Sequence, residues 1–338
     1  MNPDWRSFLA SANAVFGGDS FAIEHFGDTV SELEAAARQT VIVPLTHLAL
    51  IEAVGEDARS FLHNQLTSDV NRLPENQAQH AAWCTAKGRM QASFLLWGED
   101  GGYRLALAAD LLEPTLKRLP MFILRAKVKL TAENAQVLIG LAGPSADAAL
   151  AAAGLPVPAA ALGIARAHGS TVIQLDAGRF MIAAPEAAAP GLWANLASAT
   201  RPAGTPVWRW LDVKAAFPLV TLATKEAFVP QMADFEKIGG VSFNKGCYPG
   251  QEIVARTQYL GKVKRHLYRL ASSQPLAAGD PLFSPDNPDQ SCGQVMTAAP
   301  APDGGFAALA VVQANFAANL RLAARDGPVV EAVAVNPP

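Results

Sequence analysis

The chain is built from short apolar runs separated by turn-forming clusters, with no single amphipathic repeat running through it. The first forty residues are mixed in pattern and end in a predicted helix over Val30 to Gln39. Leu45 to Val54 is a β-rich apolar run that Gly55 stops. Glu56 and Asp57 then open a helix through Leu66, with Phe61, Leu62, Gln65 and Leu66 on nearby turns and acids at its positive end. Ala78 to Thr85 and Met90 to Trp97 read as strands joined by a tight turn at Lys87-Gly88, which is a hairpin pattern. A strand at Tyr103 to Ala108, a helix from Asp110 to about Leu124 that Pro120 must kink or end, and a strand at Lys127 to Thr131 complete the set. The order β, α, β, β, β, α, β predicts an α+β sheet unit with helices on one face.

A second unit starts at Ala135. Its strand Val137 to Leu141 leads to a short helix with Pro144 in the first turn. Strands near Thr171–Leu175 and Arg179–Ala183 and a helix over Pro190 to Ala199 follow. Residues 200–206, with Pro202, Gly204 and Pro206, are linker-like. Trp208 and Trp210 lie two apart, so in a strand they share a face, either packing in a core or stacking on a planar heterocycle. Beyond Lys262 come short strands near Val263–Leu270, Gly293–Thr297, Ala307–Val312 and Val329–Val335. Pro, Gly and Asp clusters separate them, which predicts a small all-β barrel.

Composition narrows the class. Of 338 residues, 50% are hydrophobic and 17% charged, which supplies cores and excludes a disordered chain. The net charge of -3 argues against a surface that binds nucleic acid globally. Cys84, Cys247 and Cys292 are odd in number and far apart, with no CxxC pair. A disulfide framework or a self-contained metal cage is therefore not indicated, and a reducing compartment is. No basic region followed by an apolar core opens the chain, and prolines and charges interrupt the Ala-rich stretch from Leu141 to Ala167. The expectation is a soluble, cytoplasmic protein without a membrane partner.

The segment with chemical potential is Phe243-Asn244-Lys245-Gly246-Cys247-Tyr248-Pro249-Gly250-Gln251-Glu252. Gly246 and Gly250 allow positive φ and Pro249 fixes φ between them, so the loop can present Cys247 rigidly, with Glu252 in the first turn of a short helix. A thiol beside Lys245 and near a helix N-terminus is placed to be a reactive thiolate; the alternative is a tight turn around an inert, half-buried cysteine. Downstream, Arg256, Lys262, Lys264, Arg265 and Arg269 form a strip without an acid, either an anion-receiving surface or a solvated strand face. No GxGxxG, GxxxxGK, HExxH or GxSxG pattern occurs.

This loop resembles the K-G-C-Y-x-G-Q-E motif of the YgfZ family, folate-binding proteins related to the T protein of the glycine cleavage system. The match is complete from Lys245 through Glu252. Phe61 to Val70 resembles the family's F-L-x-x-Q-L-T-x-D-V segment, and Cys84-Thr85-Ala86-Lys87-Gly88-Arg89-Met90 its next hairpin. Phe228-Val229-Pro230-Gln231 resembles F-x-P-Q, and Gly261 to Arg265 resembles G-x-x-K-R.

The resemblance implies a three-domain aminomethyltransferase-type α+β fold, ringed around a central folate-sized opening and ending in a β-barrel. It divides the chain into an arm (1–40), a discontinuous folate-binding α+β domain (41–132 plus 201–255), a ferredoxin-like α+β domain (133–200) and the barrel (256–338). The implied cofactor is tetrahydrofolate or a derivative. The implied role is support of iron–sulfur cluster assembly or repair, including enzymes that thiolate tRNA. Cys247 is then the functional thiol, and Trp208, Lys245, Tyr248, Gln251, Glu252 and Arg256 are the cofactor-binding candidates. Iron–sulfur client proteins are the implied partners, and the slightly acidic chain favours an indirect link to tRNA. The alternative is a tetrahydrofolate-dependent one-carbon transferase, for which Asp69 is a candidate carboxylate unless it merely caps a turn. Three positions depart from the family. Lys214 stands where relatives often carry an acid, and a donor-only ammonium cannot accept from a pterin. Asp234 replaces a frequent Asn, and Leu48 a Trp.

Overall fold

In the computed structural model, residues 2–18, 21–259, 263–287 and 289–336 are described. The first long strand pattern becomes a five-stranded antiparallel sheet in the order Ala78–Cys84, Met90–Glu99, Gly102–Ala108, Leu48–Val54, Lys129–Glu133. The helix Ala58–Gln65 buries Phe61 and Leu62 in the core of this sheet. The helix expected from Asp110 is shorter. It runs Leu112–Arg118 and passes into a tighter 3₁₀ turn at Leu119–Phe122, because Pro120 cannot continue the ladder.

The second sheet has six strands in the order Ile164–Ala167, Ser170–Asp176, Arg179–Pro185, Gln136–Ala142, Val41–Pro44, Arg201–Pro202. Val41–Pro44 pairs with Gln136–Ala142, and Arg201–Pro202 adds to it in parallel. A turn at Leu45 to His47 thus carries the chain from one sheet to the other, and the strand pattern read from Leu45 begins only at Leu48. The first residues form the helix Pro3–Ser11, capped by Asn2, whose Trp5 and Leu9 pack with Ile139, Phe180 and Trp193 of the second unit.

The segment bearing Trp208 is not a strand. Thr205–Ala215 is a helix, opened by Gly204 and Pro206 and closed at Ala216 in a left-handed conformation. Trp208 and Trp210 therefore point in different directions: Trp208 is buried and Trp210 half-buried. The Trp208 ring fills the space over Gly140, where an added Cβ would stand 2.3 Å from it.

The C-terminal strands close into a six-stranded barrel in the order Arg265–Ser272, Phe306–Gln313, Gly293–Pro300, Pro281–Phe283, Leu320–Leu322, Val329–Ala334. Leu267, Met296, Leu309 and Val311 leave the barrel to join Phe94, Phe228 and Phe235 in the core of the first unit. Among the described residues, no helix is long and apolar enough to cross a membrane.

Candidate functional site

Four stretches far apart in sequence meet around Cys247. Thr67 Oγ1 donates to the Gly240 carbonyl at 2.6 Å and accepts from the Ala82 N–H at 2.8 Å. The Ser242 N–H donates to the Thr67 carbonyl at 2.9 Å. The Met90 N–H donates to the Phe228 carbonyl at 2.8 Å, and the Arg89 guanidinium donates to the Ala227 carbonyl. The Cys loop closes onto the 85–88 hairpin turn through two glycines. Gly250 has φ +82°, and a Cβ there would lie 2.4 Å from the Thr85 carbonyl oxygen and 2.7 Å from Gly88. Gly88 itself has φ +71° and faces Ile253. Gly246, for which the sequence also suggested positive φ, has no such conformation.

The helix Gln251–Tyr259 follows, with Glu252 and Arg256 exposed and Val254 buried. Gln231 fixes this helix from below, its Nε2 donating to the Val254 carbonyl at 2.7 Å. Asp234, buried and in the left-handed region at φ 49°, ties the same segment to the barrel. Its carboxylate lies 3.2 Å from His266 Nδ1 and accepts from Asn336 Nδ2 at 3.2 Å.

Cys247 is exposed, whereas Cys84 and Cys292 are buried. Burial pushes the Cys84 thiol up to about 12 and also raises that of Cys292. Lys245 does not point at the cysteine. Its ammonium is buried and donates to the carbonyls of His63 and Leu66 at the C-terminal end of the helix Ala58–Gln65, and it lies 4.8 Å from the Tyr248 ring. A cation there satisfies carbonyls that the helix leaves without partners. Burial lowers the Lys245 pKa to about 8, against the pull of Asp69. Tyr248 is buried beneath the loop, and that burial raises its pKa. The sequence did not single out His63. Its Nδ1 stands 3.2 Å from Asp69 Oδ1, and its Nε2 faces Gly246, 3.5 Å from a Cβ built there. Asp69 also accepts from the Asn71 N–H at 3.1 Å and so caps the next turn.

Trp208 occupies a different place. With His80, Ser93, Leu95, Met181, Arg179, Asp212 and Phe217 it lines a cavity of about 60 Å³ between the two sheets. Arg179 and Asp212, both buried, pair through Nη1 and Oδ1 at 2.5 Å, and the guanidinium carbon of Arg179 lies 5.5 Å from the Trp208 ring. Burial lifts the Asp212 carboxyl to about 6, against the pull of Arg179. Burial likewise keeps His80 neutral, with its pKa lowered to about 4, and among the described residues its Nδ1 has no hydrogen-bond partner. A carboxylate, a guanidinium, a hydroxyl and a neutral imidazole between apolar walls fit the donor and acceptor edge of a pterin. The free volume holds a few waters, so a bicyclic ring enters only with a shift of the lining side chains.

The sequence candidates thus divide in two. Lys245, Cys247, Tyr248, Gln251, Glu252 and Arg256 share the loop and its helix, and Trp208 lies in the cavity. Lys214 has its ammonium 5.5 Å from the Trp210 ring. Within the cationic strip, Arg269 donates to the Val213 and Lys214 carbonyls, while Gly261 and Lys262 lie outside the described residues.

No family model matches the chain. It is 33% identical to the tRNA-modifying protein YgfZ of Sodalis glossinidius over 290 residues, covering 84% of this chain and 88% of that protein. It is 34% identical to the tRNA-modifying protein YgfZ of Shigella boydii over 234 residues, covering 69% of this chain and 72% of that one. The fold matches the glycine cleavage system aminomethyltransferase T from Bartonella henselae with a TM-score of 0.84, over 100% of this chain and 97% of that one, at 20% identity. With an aminomethyltransferase-type fold and this identity along most of its length, the chain belongs to the YgfZ family of tRNA-modifying proteins.

Proposed function

We propose that the chain is a cytoplasmic, folate-binding accessory factor for assembly or repair of iron–sulfur proteins, tRNA-modifying enzymes among them, with Cys247 as its functional thiol. The observation that carries this reading is an exposed thiol on a loop that its surroundings hold in place, while the other two thiols are buried. A thiol that accepts, hands on or protects a cluster or sulfur species must be reachable from outside, and its loop must keep its shape when the cargo leaves. Gly250 against the hairpin turn and Lys245 on the helix carbonyls supply that rigidity. The cluster or sulfur species is cargo here, not a resident group.

The folate part of the proposal draws on the cavity. Asp212, Ser93 and His80 would hold the pterin edge and Trp208 its face. Tetrahydrofolate, when bound, supplies a reduced pterin that carries one-carbon units. The link to tRNA then runs through client enzymes, in keeping with the net charge of -3.

Two measurements test this reading. In a strain lacking the protein, Cys247→Ala should fail to restore iron–sulfur enzyme activity; full restoration sinks the thiol role. Titration with tetrahydrofolate, followed by tryptophan fluorescence, should saturate in the wild type and weaken in Asp212→Asn and Trp208→Phe. The buried carboxylate of Asp212 also keeps a one-carbon transferase in play. Methylene-tetrahydrofolate formation from a methylamine donor would favour that second reading, and no turnover at high protein concentration would remove it.

A further inference from the structure

The segment after the helix Leu112–Arg118 carries a surface that the other described residues leave uncovered. Residues 114–132 hold five cations (Lys117, Arg118, Arg125, Lys127 and Lys129) and no acid. At its tip Met121 is 73% exposed, Leu124 91% and Phe122 43%. Leu124 has φ 49°, a left-handed conformation that L side chains avoid, and it keeps an aliphatic side chain in solvent. The backbone strain costs stability and the exposed side chain returns none by burial, a combination usual at functional surfaces.

The tip is anchored. The Phe122 ring stands edge-on to Trp83 at 6.3 Å. Trp83 bridges to Leu66, whose carbonyl accepts from Lys245, two residues before Cys247. A short series of contacts therefore joins this knuckle to the Cys loop. Arg118 and Lys127 are drawn to Glu226 at 3.5 Å and Glu56 at 2.8 Å, but Lys117, Arg125 and Lys129 make no ion pair among the described residues.

We infer that the Met121–Phe122–Leu124 knuckle and its cationic rim form the docking surface for an acidic protein partner with an apolar recess, held so that the partner reaches Cys247. The charge of the rim sets the sign of the partner, and apolar anchors inside a charged rim are the usual anatomy of a protein interface. The contact path to the one defined loop that bears the thiol favours a folded partner over a lipid surface. Met121 and Leu124, the most exposed residues of the tip, have no ring on which a nucleic-acid base could stack, and the Phe122 ring is engaged with Trp83. The inference rests on the reading of Cys247 as the functional thiol and adds where its partner sits.

The full-length chain is tested in a strain lacking it. Met121→Ser/Leu124→Ser, and separately Lys117→Glu/Arg125→Glu/Lys129→Glu, should each lower rescue of iron–sulfur enzyme activity by about tenfold or more. The thermal midpoint and the rate of Cys247 alkylation by iodoacetamide should stay at wild-type values. A photo-reactive side chain at position 124 should give a discrete cross-linked product. That product should disappear with the charge reversals, and its partner, once sequenced, should be acidic. Full rescue by both variants overturns the docking surface. So does absence of the product, or binding of the wild type to phosphatidylglycerol vesicles or total tRNA that the same substitutions abolish. Failure of the underlying thiol reading looks different: Cys247→Ala then rescues while the knuckle variants do not.

Discussion

At the residue scale, the fold buries His47 and half-buries His80, and among the described residues neither has an ionic partner. His47 and His80 have both been pushed down by burial, to about 3 and about 4. In the unfolded chain each takes up a proton near pH 6.5. Between those values the unfolded state binds more protons, so stability falls as the pH drops below about 6.5, and each ring accounts for about 2 kcal/mol of loss at pH 5. Asp212 acts in the opposite sense. Its carboxyl, raised to about 6, binds a proton in the folded state first and returns about 1 kcal/mol over the same range. His80→Gln should therefore reduce the loss of stability between pH 7 and pH 5 by about 2 kcal/mol, read from urea denaturation at the two pH values. An unchanged pH dependence would mean that His80 is already protonated in the folded protein. None of this was legible in the sequence, where six scattered histidines formed no motif; what sets their titration is burial by residues far away in the chain.

At the element scale, the two glycines of the Cys loop have different standing. Gly250 sits at φ +82° with the Thr85 carbonyl 2.4 Å from where a Cβ would go, so Gly250→Ala is strained in its backbone and blocked by rigid atoms. It should cost about 2 kcal/mol or more and loosen the loop, raising protease nicking near residue 247. Gly246→Ala meets only His63 Nε2 at 3.5 Å, an ordinary contact, and should stay within about 0.5 kcal/mol of wild type. Equal costs in thermal or urea unfolding would contradict this account of the loop. The loop and its hairpin neighbour were readable because Gly, Pro and Cys act within a few residues. At Trp208 the local pattern is ambiguous for a related reason. Trp208 and Trp210 alternate like a strand, but Val207, Trp208 and Leu211 make an apolar helical stripe, and Pro206 at the N-terminus fixes the choice. The strands Pro281–Phe283 and Leu320–Leu322 are too short to show alternation at all. Long-range pairs also left no local trace. Adjacency in the chain puts Lys245 beside the thiol, yet its ammonium is used 182 residues away on the His63 carbonyl.

At the scale of the whole molecule, the barrel is joined to the first unit through shared core. On the strand Gly293–Pro300 the register slips between Val295 and Thr297, so Met296 is the extra residue of a bulge. A bulge turns a side chain out of its usual alternation, and Met296, fully buried, joins the core around Phe94 and Phe235, away from the barrel interior that Val295 helps to fill. Asp234 with His266 and Asn336 reinforces the same junction. If this core is continuous, barrel and body unfold together. The tryptophans allow a clear reading, because all six (Trp5, Trp83, Trp97, Trp193, Trp208 and Trp210) precede the barrel. Met296→Ala leaves a cavity worth about 2–5 kcal/mol inside the shared core. Tryptophan fluorescence should then move to lower urea by the same amount as the far-ultraviolet circular dichroism, although the substitution lies in a barrel strand without a tryptophan. Leu282→Ala, inside the barrel, provides the comparison. Should Met296→Ala shift only the circular dichroism and leave the tryptophan transition in place, the barrel would be an independent unit, and the loop bearing Cys247 would be held by the body alone.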